Sequence, residues 1–109
     1  MTKVSIFCDD NEYMISIAGH AEYKKNENDN DIVCAAASCL TETLSAALCK
    51  LENEKLCQIS DSAESDACRL YRVKFPDGDI RVKQTIETIK TGFELLENTY
   101  PNYIKNFFR

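Results

Sequence analysis

One boundary constrains this chain more than any other. Residues 22–30 are polar apart from Tyr23, and after Asp31 the composition turns at once to Ile-Val-Cys-Ala-Ala-Ala. Such a switch marks a helix start: Asp31 is a good N-cap, and Ile32, Val33 and Cys34 fall at N1, N2 and N3. The spacing predicts a helix from residue 32 to about residue 52, with Val33, Ala36, Ala37, Leu40, Leu44, Ala47, Leu48 and Leu51 on one apolar stripe. Ala35, Ala36, Ala37 and Ser38 keep its first two turns thin, so a neighbouring backbone or a bound peptide has room to approach. The remaining elements must pack against this rod.

Upstream, residues 3–8 alternate as a strand, residues 9–12 form a turn, and residues 13–19 form a second strand with Tyr13, Ile15 and Ile17 on one face. Downstream, residues 56–60 are a short strand and residues 61–66 are polar and turn-like. Residues 69–75 alternate strongly, with Tyr71, Val73 and Phe75 inward. Pro76 to Asp79 is a turn signal. Val82, Ile86, Ile89, Phe93, Leu96 and Tyr100 then repeat at helical spacing until Pro101. The tail from Asn102 is unusually aromatic and is expected to dock on the domain or on a partner subunit. The order β-β-α-β-β-α predicts an α+β two-layer sandwich: a four-stranded, mainly antiparallel sheet with both helices on one face. Its 109 residues suit a single domain over residues 1–109.

Charge and cysteine usage narrow the function. A net charge of −5 argues against general nucleic-acid binding and suits a basic protein partner. The six cysteines include no Cys-x-x-Cys pair, and there is one histidine, so neither a zinc site nor another cofactor is signalled. Several cysteines sit at apolar positions and read as small buried hydrophobes with reduced thiols. No leader precedes the first strand pattern, and no run reaches the eighteen or so apolar residues of a membrane span. These features predict a cytoplasmic protein that does not engage a membrane.

Cys34 and His20 carry the chemistry. A cysteine in the first turn of a helix meets unpaired N–H groups and the positive end of the helix dipole, which favour a thiolate. His20 ends the second strand and would project towards the same region. The pair forms a plan for a cysteine nucleophile with a histidine base. Asp31 suffices as a cap, and orienting His20 is a second role open to it. Ser38, four residues after Cys34, is either a small packing residue or a site hydrogen-bonder. Gly19 either ends the strand or leaves room for substrate backbone beside His20. The polar loop between the two residues suits a lid over bound peptide. The rival reading is a non-catalytic, regulatory α+β binding module in which Cys34 and His20 lie far apart or inert. A redox sensor would need a disulfide partner near Cys34, and the cysteine spacing offers none.

Gly19-His20-Ala21, then Asp31-Ile32-Val33-Cys34-Ala35-Ala36 and Ser38, resembles the signature of the ribosomal-processing cysteine protease family, Prp. The resemblance extends over essentially the whole chain, with Tyr100-Pro101 matching a Tyr-Pro near the family's C-terminus. Ala37 stands where the family usually has valine. The loop lacks the glycine common before the motif aspartate, a place that Asn28, Asp29 and Asn30 could fill. The resemblance implies an endopeptidase that removes the N-terminal extension of a bacterial large-subunit ribosomal protein. It makes Cys34 the nucleophile and His20 its base, with Gly19, Asp31 and Ser38 in support. It also implies a homodimer, to which the aromatic tail would contribute, and it makes a ribosome-associated module the other form of the non-catalytic rival.

Overall fold

The structure, a computed structural model, describes residues 1–23, 30–65, 68–76 and 79–109. Its elements in chain order are β1 (Thr2–Asp9), β2 (Glu12–Ala18), α1 (Ile32–Asn53), β3 (Gln58–Ser65), β4 (Cys68–Lys74), α2 (Ile80–Thr99) and β5 (Ile104–Phe108). The expected lid falls largely on residues 24–29, outside the described residues, as does part of the turn that follows Pro76.

The two helices and the mainly antiparallel sheet stand as the sequence predicts, but the sheet has five strands, in the order β3-β4-β2-β1-β5. The fifth is the aromatic tail. Tyr100 N–H closes α2 on Leu96 C=O and Tyr103 N–H turns back onto Tyr100 C=O. The chain then runs parallel to β1, pairing Thr2 with Ile104 and Ile6 with Phe108. The tail therefore docks on its own domain. β3 is also longer than the polar residues from Asp61 suggest. It absorbs them as an edge strand with a bulge between Ser60 and Ala63.

Within each strand the inward residues alternate, and the register sets them side by side, so one face of the sheet takes both helices. Val4, Ile6, Ile15 and Val73 are fully buried in one cluster with Leu44 and Leu48 of α1 and Val82, Ile86 and Phe93 of α2. Each such side chain contributes about 1.5–3 kcal/mol by leaving water. Where the helices touch, Gly92 of α2 admits Leu40: a Cβ at Gly92 would lie 2.6 Å from a Leu40 methyl. The opposite sheet face carries the exposed Met14, Leu70 and Phe107.

Three further observations refine the expectations. By length and mean hydropathy (22 residues, 1.7), α1 is apolar enough to cross a membrane. Ser38, Thr41, Glu42, Thr43 and Ser45 interrupt its apolar run, while the alanines, cysteines and leucines between them keep the mean high. Of the six cysteines, all free, only Cys57 is buried, whereas Cys8, Cys39 and Cys49 are exposed. Cys39 and Cys49 lie off the core stripe of α1, whereas Cys8 shares the inward parity of Val4 and Ile6 but stands near the end of β1, opposite Tyr13. At the sheet margin, Asn106 of β5 donates its N–H to Glu97 Oε1 of α2 at 2.9 Å, and its side-chain amide donates to Phe93 C=O.

Candidate active site

β2 delivers its last residues to the end of the sheet where α1 begins. Gly19 leaves the strand with φ +90°, and the Met1 carbonyl oxygen lies 2.5 Å from where a Cβ would stand. Thr2, itself buried, donates its hydroxyl to Gly19 C=O at 3.2 Å. On the other side of the histidine, Ala21 is buried at 2% exposure. His20 is thus an exposed side chain on a backbone held at both flanks.

Asp31 takes the N-cap of α1 with extended backbone, φ −86° and ψ 94°. One carboxylate oxygen accepts the Cys34 N–H at 2.8 Å, and the other accepts the Tyr23 N–H at 3.0 Å. A single side chain therefore starts the helix and ties down the residue where the polar loop leaves. The Tyr23 ring packs edge-on against Tyr100 and Tyr103, with centroids 5.3 and 5.0 Å away. Cys34 comes out half-buried on the first turn, its Sγ 3.9 Å from His20 Nδ1.

The two residues face a cleft of about 340 Å³ between α1 and the strand ends. Ser38 and Glu42 continue its α1 wall, and Thr2, Gly19 and Arg69 form part of the opposite side. Arg69 bonds Glu42 and the Tyr71 hydroxyl, so a charged pair braces the far end. Among the described residues, no group of three His, Cys, Asp or Glu side chains is placed to hold a metal ion.

Set against the sequence, the structure brings Cys34, His20, Gly19 and Ser38 to one cleft and puts Asp31 behind it. Asp31 has no hydrogen bond to His20 among the described residues; its two oxygens serve the Cys34 and Tyr23 amides. Ser38 lines the cleft, exposed, with no side-chain hydrogen bond among the described residues. Gly19 is exposed and lines the cleft, while in the direction a Cβ would take it meets the Met1 carbonyl. Two contributors went unread in the sequence: Thr2, and the Glu42–Arg69 pair. Thr2 could have been found from the hairpin alone. A turn at residues 10–11 pairs Lys3 with Ala18, which sets Thr2 opposite Gly19.

The family model of the cysteine protease Prp matches residues 1–105. No curated protein sequence matches the chain. Among solved structures, the chain is similar to the essential ribosomal processing protease Prp from S. aureus in complex with a covalently linked product peptide. That likeness has 20% identity and a TM-score of 0.72 over 100% of both chains. The same protease in complex with a substrate peptide gives 20% identity and a TM-score of 0.69, again over 100% of both. The SMU.848 protein of Streptococcus mutans gives 23% identity and a TM-score of 0.68, over 99% of this chain and 93% of that one. At these identities the structural likeness speaks for a shared fold.

Proposed function

Because this chain belongs to the cysteine protease Prp family and is a cysteine protease, we propose that it removes the N-terminal extension of a bacterial large-subunit ribosomal protein, using Cys34 and His20. The observation that carries this reading is the 3.9 Å approach of Cys34 Sγ to His20 Nδ1 at a peptide-sized cleft. His20 accepts the thiol proton as Cys34 Sγ attacks the scissile carbonyl carbon. The tetrahedral adduct collapses to a thioester as His20 returns that proton to the leaving amine. Water, deprotonated by His20, then hydrolyses the thioester and frees the thiol.

Asp31 serves this chemistry by position. The Cys34 amide is committed to the cap and the Ala35 amide to Asp31 C=O at 3.0 Å. Backbone N–H groups at the start of α1 are the natural donors to a developing oxyanion, because a helix leaves its first N–H groups without intrahelical partners. The net charge of −5 favours encounter with a basic ribosomal precursor. That the S. aureus protease is a ribosomal processing enzyme, with structures in complex with substrate and product peptides, supports the substrate class. The proposal includes a cytoplasmic homodimer. With most of the tail taken into β5, the exposed Phe107 is the part of it available for such a contact.

The test is a peptide spanning the precursor's extension junction, incubated with wild type, Cys34→Ala and His20→Ala and read by mass spectrometry. Wild type should yield two products, and each variant should lose at least about a hundredfold in rate. An uncut peptide with wild type, together with unselective alkylation of the six cysteines, would instead favour a non-catalytic binding module.

A further inference from the structure

We infer that Thr2 is a positioning residue for His20, acting through the Gly19 carbonyl. The inference rests on the reading of Cys34 and His20 as the reacting pair. Thr2 is the first residue of β1 and is only 2% exposed, although it borders the cleft. A buried hydroxyl needs a partner, and here it donates to Gly19 C=O at 3.2 Å, one residue before the histidine. Its backbone N–H is fixed as well, on Tyr103 C=O at 3.0 Å. Thr2 is thus tied to β5 through its backbone, and its side chain reaches the corner where the chain leaves β2.

Among the described residues, the corner's other holds are the Met1 carbonyl before the histidine and buried Ala21 after it. Gly19 lies beyond the last paired residue of β2, and its φ of +90° is open to a residue that also samples many other conformations. His20 is exposed and makes no regular backbone pairing. The Met1 carbonyl blocks movement of Gly19 towards β1, and the Thr2 hydroxyl opposes movement away from it. Together they set the angle at which the imidazole leaves the backbone, and so its distance from Cys34 Sγ.

The experiment uses the full chain and the junction peptide. Thr2→Val keeps the shape and removes the hydroxyl; Thr2→Ser keeps the hydroxyl. Thr2→Val should lower kcat about tenfold with KM within about twofold, because misplacement of a reacting group costs rate more than binding. Thr2→Ser should restore most of it. His20 is the only histidine, so its ring proton gives one NMR signal whose position reports what lies beside the imidazole. At fixed pH, that signal should shift on Cys34→Ala in the wild-type background and shift clearly less in the Thr2→Val background. Wild-type kcat in Thr2→Val, with the Cys34-dependent shift intact, overturns the role of Thr2 and leaves the pair standing. A His20 signal indifferent to Cys34→Ala in the wild-type background overturns both. Thr2→Ala, which cannot overfill the site, gives the same readouts if Thr2→Val does not fold.

Discussion

At Gly19 two demands fall on one Cα. The backbone sits at φ +90°, where a side chain is strained, and the Met1 carbonyl stands 2.5 Å from the position of a Cβ. Gly19→Ala should therefore destabilise the protein by about 2 kcal/mol or more, measured by chemical denaturation. Its cleavage rate should fall further than its folded fraction explains, because the shift is passed to His20. The glycine was visible in the sequence, but the reason for it was not: a contact with residue 1 exists only once β1 and β2 are paired. Asp31 teaches the same lesson. Its rank as a cap was legible, whereas its second bond, to Tyr23 N–H, closes across a loop whose shape composition does not specify.

Among the elements, the helices were the most readable, since each apolar stripe is local and its starting residue is marked. Asp79 repeats at α2 what Asp31 does at α1, accepting the Arg81 N–H at 2.8 Å. That hydrogen bond, and then the Arg81 guanidinium, hold the Asp79 carboxyl below its usual 3.8. A depressed carboxyl contributes stability above its unfolded value and loses it as pH falls through the folded one. Wild type should accordingly be more stable than Asp79→Asn at neutral pH. The gap should close below about pH 4, followed by urea unfolding across an acid series. The strands were less legible for two separate reasons. β3 carries Asp and Ser where strands seldom do, which an edge position with a bulge tolerates. β5 pairs parallel to the first strand after a 20-residue helix, so its partner is remote in sequence.

For the molecule as a whole, the core imposes a limit at alkaline pH. Tyr13 stacks on Phe75 at a centroid distance of 5.5 Å and is 4% exposed. Burial, with smaller contributions from Cys8 and Glu87, pushes its phenol from 10.0 up to about 12. An acid made weaker by folding contributes stability below its unfolded value and loses it as pH rises through the folded one. Stability should then decline between about pH 10 and 12, and Tyr13→Phe should flatten that decline, as tracked by circular dichroism. Fold class and the Cys34–His20 pair were open to reading because one hairpin, one cap and one helix suffice to bring them together. The rear wall of the cleft required the entire strand order. The same strand order leaves β5 as a margin, and there the Glu97 carboxylate occupies an outward amide that an incoming strand would need. An extended polypeptide would have to displace that carboxylate before it could pair at Asn106. Addition of one copy to another along that border, the first step towards a fibril, is hindered accordingly.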